Sequence, residues 1–291
     1  MSPKALWVLV FVVLAGCTAT PPPATPKAAP PTTPAPSASP TTPVKPILRL
    51  RPSGNEARDH NPLNLVGKAG KTKCRAAAPR TGSYASWKRY LTTISGCLDR
   101  FWAREFAEAR LRFDPPRRSF PKKAPKSFCK DKWTKGAAGT YCGDSNALDD
   151  RRFVIPIPPY ARHANYRMEM AVVVAHEYGH HIQEMSGYTS VADSAYERTS
   201  KHKAIDLITR RSELQTDCFA GIAIGAFYDS LFHSRHLWPV YRWNRERWYQ
   251  DKGWDLTHGR LMTQRTWLDR GFKARQTGAC NTWRYPAGSV K

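Results

Sequence analysis

Acidic side chains are scarce in this chain of 291 residues, where 23 Asp and Glu stand against 46 Lys and Arg and the formal charge is +23. Such a field favours anionic surroundings over basic partners. Closely spaced cysteine pairs are missing as well, since no two of the seven cysteines stand as C-x-x-C. That excludes a cysteine zinc ribbon and a thioredoxin-type redox site. Long apolar runs are absent too: the run from Ala5 to Leu14 is too short to span a bilayer as a stable helix. No internal repeat is visible, which sets aside solenoid and propeller architectures.

What the first 46 residues do contain is unlike the rest. "MSPKALWVLVFVVLAGC" places Lys4 before an apolar stretch and small residues that run into Cys17, the pattern of a secretory signal. "LAGC" also resembles a bacterial lipobox, so residues 1–16 are expected to be removed and Cys17 to become a lipid-carrying N-terminus. The text from Thr18 to Pro46 is Pro, Ala, Thr and Ser with almost no apolar bulk, and it cannot offset the entropy of ordering. Residues 17–46 therefore read as a tether, reaching roughly 90 Å at about 3.1 Å per residue in polyproline form. The expected setting is the extracytoplasmic face of a bacterial cell membrane. Anionic partners there are phospholipid headgroups and envelope polymers rather than nucleic acid. Six cysteines remain, an even number in an exported chain, which favours disulfides. Pairing nearest neighbours gives Cys74–Cys97, Cys129–Cys142 and Cys218–Cys280, one of the 15 connectivities open to six cysteines.

Residues 47–291 read as one folded domain, α+β and predominantly helical. Residues 47–80 have no sustained period and read as an extended lead-in. Between 83 and 111, Trp87, Leu91, Ile94, Leu98, Trp102 and Phe106 recur at steps of three and four, the stripe of an amphipathic helix. An interruption is expected near Gly96, and a stop at Pro115 and Pro116. "RRFVIPIP" (151–158) is a β-branched run bounded by prolines, suited to an edge strand, with "TYCGD" as its partner. Further helices are expected around 172–185, closed by Gly187, over much of 198–230, and over 261–272. "WPVYRWNRERWYQDKGWD" interleaves Trp and Arg across 238–254, which reads as aromatic packing beneath a basic surface.

"VVVAHEYGHHIQEM" (172–185) puts three histidines and two glutamates on an otherwise apolar helix. His176 and His180 are four apart and share one face, close enough to hold one metal ion. Glu177, one residue round, reaches a water there as a general base, so the pattern is H-E-x-x-H, two zinc ligands and a base. A catalytic zinc needs a third protein ligand and an open position. The arrangement H-E-x-x-H-x-x-G-x-x-H is excluded, because Gln183 replaces its glycine and Ser186 its last histidine. Glu184 lies about 12 Å along the axis from His176 at 1.5 Å per residue, too far to share an ion with it, and reads as a surface residue or a support behind the ligands. "SELQTD" offers the alternative: Glu213 as third ligand, and Asp217, four residues on, bonded to the outer nitrogen of a ligand histidine.

"HEYGHHIQ", "ELQTDCFAG" and "THGRLMTQRTWLDRGF" followed by Cys280 together resemble the bacterial neutral zinc metallopeptidases, and the E-x-x-x-D element resembles the thermolysin-like gluzincins. The resemblance implies a zincin-like fold with a small edge sheet, helices packed round a Zn²⁺ ion, and a peptide or protein substrate. It also nominates His258, C-terminal to the third ligand, to stabilise the oxyanion; a capping or surface histidine is the other reading. The expected activity is zinc-dependent peptide hydrolysis at a membrane-tethered site. A catalytically silent zinc-binding envelope lipoprotein and a zinc amidase acting on peptidoglycan peptides are the alternatives.

Overall fold

The computed structural model describes residues 48–143, 151–163, 166–232 and 254–291, all within one compact unit, Lys45–Lys291. Cys17, the tether and Trp/Arg residues 238–253 lie outside the described residues. Among the described residues no helix is long and apolar enough to cross a membrane.

The lead-in is less extended than its composition suggests, folding into a short helix α1 (Gly54–Asp59) and a 3₁₀ turn at Pro62–Leu65. Helix α2 (Tyr84–Glu108) follows, its first turn capped by the Ser83 hydroxyl, which accepts from the Ser86 amide. Its stripe is buried as expected: Trp87, Leu91, Ile94, Leu98, Trp102 and Phe106 all have no exposed surface. Gly96 does not interrupt it. That residue sits at a half-covered position where a helix tolerates glycine at modest cost. Nor do Pro115 and Pro116 end it, since Arg110 already adopts a left-handed φ of 57° and turns the chain out.

Five short strands come next: β1 (Arg117–Ser119), β2 (Ser127–Phe128), β3 (Asp131–Lys132), β4 (Thr140–Cys142) and β5 (Arg152–Val154). β2 and β3 form a hairpin; the other sheet has the order β1-β5-β4, parallel on one side and antiparallel on the other. The 151–158 run is therefore the centre of its sheet and not the expected edge. Its prolines, Pro156 and Pro158, fall beyond the paired residues 152–154 and remove no ladder hydrogen bond. The edge nearest the site belongs to "TYC", which pairs with β5 as predicted.

Helix α3 (Arg167–Met185) is buried along nearly its whole length, and Gly187, at φ 86°, turns the chain into α4 (Tyr188–Glu197), an element the sequence reading passed over. Helix α5 (His202–Phe232) packs against α3, with Gly179 letting the two approach: a Cβ there would lie 3.0 Å from that of Thr216. Helices α6 (Trp254–His258) and α7 (Leu261–Ala274) close over α5. All three nearest-neighbour disulfides form. Cys74–Cys97 ties the lead-in to α2, Cys129–Cys142 ties the hairpin to β4, and Cys218–Cys280 ties α5 to the C-terminal segment.

Candidate active site

The four-residue spacing on α3 stacks His176 over His180, their ring centroids 5.1 Å apart and nearly perpendicular. Glu213 reaches them from α5: its Oε2 lies 3.2 Å from His176 Nε2 and 3.5 Å from His180 Nε2. The ligand-type atoms of these three residues all fall within 4.8 Å of one another. Two imidazoles and a carboxylate so placed suit a tetrahedral zinc, with room for one further group.

The outer nitrogens of both rings are held. His176 Nδ1 is 3.1 Å from Asp217 Oδ1, one turn beyond Glu213 on α5, as the E-x-x-x-D spacing predicts. His180 Nδ1 is 3.2 Å from Gln183 Oε1, whose amide nitrogen donates in turn to Ser212 O at 2.9 Å and Gln215 Oε1 at 3.0 Å. Each ring therefore presents Nε2 to the shared centre. Gln183, which in sequence shows only as the residue replacing a glycine, is thus a support for a candidate ligand.

Electrostatics bind the group together. Burial opposes protonation of His176, but hydrogen bonds to Asp217 and Glu213 outweigh it and raise its pKa to about 10. Burial likewise opposes ionisation of Glu213, and His180, His258 and His176 overcome it, holding the carboxyl well below its usual range. Glu177 differs: burial pushes its carboxyl up, and His176 and His180 offset that only in part. A proton acceptor with a raised pKa is what a general base needs.

Glu177 packs against Gly139, where a Cβ would stand 2.7 Å from Oε1. A cavity of about 370 Å³ opens here, bounded by β4 and the residues before it on one side, by Val172, Val173 and the two ligand histidines on another, and by His258. His258 Nε2 lies 3.3 Å from Glu213 Oε2, and its Nδ1 is 2.8 Å from the Thr257 hydroxyl. Burial lowers its pKa. His258 is thus neither a surface group nor remote from the centre.

Of the two places expected for Glu184, the surface one is excluded. The residue is 4% exposed and accepts from Arg151 Nε and from the Tyr141 hydroxyl, the latter at 2.7 Å.

The family described as "Putative neutral zinc metallopeptidase" matches residues 61–229, more than half of the chain. The chain belongs to this metallopeptidase family. The matched residues contain His176, Glu177, His180, Glu213 and Asp217 and stop short of His258. Curated relatives are the proteins named "Uncharacterized protein YpfJ" of Escherichia coli K12 and of E. coli O6:H1 strain CFT073, each 26% identical over 124 residues, or 38% of this chain. The match spans 42% of the length of those relatives. No solved structure matches the chain.

Proposed function

We propose that this protein is a zinc-dependent peptidase, held outside the cytoplasm at a membrane surface, whose own residues hydrolyse peptide bonds of a polypeptide substrate. The observation that carries the reading is the convergence of His176, His180 and Glu213 within 4.8 Å beside the buried carboxylate of Glu177. Those three residues would hold the zinc. When bound, zinc supplies a Lewis acid that lowers the pKa of a coordinated water and polarises a carbonyl. Glu177 accepts the proton of the attacking water and returns it to the departing amine. Burial raises its pKa, the direction that favours proton acceptance. The edge strand β4 offers backbone groups along which an extended peptide can lie, as strands add to sheet edges elsewhere. His258, at the cavity wall, donates to the developing oxyanion. The tether and lipid on Cys17 keep this chemistry at the membrane, among anionic envelope polymers that suit the chain's charge.

Glu177→Gln separates chemistry from binding, because it keeps shape and ligands while removing the accepting oxygen. Zinc content and melting temperature should match wild type, while cleavage of casein or a peptide library falls by about 10²–10⁴-fold. Glu213→Ala should lose most of its zinc by elemental analysis. Equal cleavage by wild type and Glu177→Gln would remove Glu177 as the base; zinc without cleavage in either would make the protein a silent binder.

A further inference from the structure

Two glutamates on α3, Glu177 and Glu184, are seven residues and about 10 Å apart along the axis. They meet the two ends of the short β4 segment. Glu177 lies against Gly139, and Glu184 occupies the space where a side chain on Gly143 would stand, so both glycines are needed for the strand to lie this close to the helix. Between them Tyr141 is bonded to that helix, its hydroxyl donating to Glu184 Oε2 at 2.7 Å.

The far end of this connection is anchored in turn. Glu184, 4% exposed, is fixed by Arg151 Nε, from the residue that leads into β5. The Tyr141 hydroxyl also lies 3.0 Å from Nδ1 of His181, a fully buried ring whose Nε2–H donates to Asp114 O at 2.7 Å. The single hydroxyl proton goes to Glu184, so an ionised pair and two hydrogen bonds are kept in a buried setting, and they satisfy Glu184 on both oxygens, from Arg151 Nε and from Tyr141. A surface loop would need none of it.

We infer that Glu184, acting through Tyr141, is a positioning residue for the peptidase reaction: it clamps the edge strand onto the metal-binding helix, and so sets where the Glu177 carboxylate and the substrate-bearing backbone stand relative to the ligands. The inference rests on the peptidase reading above and assigns to the second half of α3 a role the H-E-x-x-H pattern does not contain. Misplacement of reacting groups by about 1 Å can cost on the order of 10²-fold in rate, so loss of the clamp should be visible in turnover.

The test uses the full chain loaded with zinc. Tyr141→Phe keeps the ring and the Glu184–Arg151 pair and removes only the hydroxyl link, so it is expected to fold where Glu184→Gln, which leaves Arg151 uncompensated, risks failing. Tyr141→Phe should retain zinc and KM within about twofold while kcat falls about tenfold or more. Amides of 139–143 should exchange faster with deuterium, and those of 172–183 at the wild-type rate. Wild-type kcat in Tyr141→Phe overturns the clamp. Should wild type cleave no peptide, the peptidase reading falls instead, and exchange at 139–143 decides alone: protection unchanged in Tyr141→Phe overturns the clamp.

Discussion

At the ligand histidines the same nitrogen is restrained by two different chemistries, a carboxylate on α5 for His176 and a carboxamide on α3 itself for His180. The carboxylate also adds charge, and it contributes to lifting the His176 pKa to about 10, whereas Gln183 fixes an orientation without a charge. Groups that support metal ligands in this way typically carry 10–100-fold in affinity. Asp217→Asn and Gln183→Ala should each weaken zinc binding by about that factor in a chelator competition, with the fold retained. Unchanged affinity in both would mean that packing alone orients the rings. Asp217 was legible beforehand because a third ligand was required and the four-residue step put a second carboxylate on its face. Gln183 was not, since a carboxamide carries no charge and its spacing matched no metal motif. Glu184 was left between two places, surface or support, for a related reason: helical geometry correctly removed it from the metal, but only the folded chain brings Arg151 and Tyr141 to it and buries it.

Helices were readable as elements wherever the apolar period ran for several turns, as in α2, α3, α5 and α7, and less so where tertiary contacts decided. Gly96 looked like a break, yet the buried faces on either side hold α2 continuous. The 151–158 run looked like an edge from its prolines, but sheet order depends on where the paired residues fall, and that is a property of register. Helix α2 also carries a charge its amphipathic pattern does not explain. Glu105 is 3% exposed; burial raises its pKa, Glu108 adds to the rise, and Arg104 at 3.5 Å only partly offsets it. A carboxyl whose folded pKa is raised binds its proton more tightly in the native state, so its contribution to stability is present at low pH and is lost as pH climbs past the ordinary carboxylate value. Glu105→Gln should therefore melt higher than wild type at pH 7, with the gap closing below about pH 4. A gap of equal size at pH 4 and pH 7 would show that ionisation of Glu105 is not what costs stability.

For the whole molecule, attachment and charge have to be considered together. The proposed anchor is the lipid on Cys17, reached through the Pro/Ala/Thr tether. A lipid on Cys17 and a cationic surface are two separate attractions to a membrane. On the proposed membrane setting the second attraction would come from the chain's excess of 46 Lys and Arg over 23 Asp and Glu. The two contributions differ in their response to salt. Burial of an acyl chain is insensitive to ionic strength, whereas attraction to anionic headgroups weakens as the Debye length shrinks from about 10 Å at 0.1 M to about 3 Å at 1 M. Wild-type protein expressed in a bacterial host should therefore incorporate a clickable fatty acid and stay with membranes washed in 1 M NaCl. Cys17→Ser should take up no label and accumulate as a precursor or as a differently processed form. If wild type is unlabelled, or if both proteins are released equally into the medium, Cys17 carries no lipid. Labelled wild type that leaves the membrane in 1 M NaCl would instead assign most of the attachment to charge, with the acyl chain contributing the smaller part.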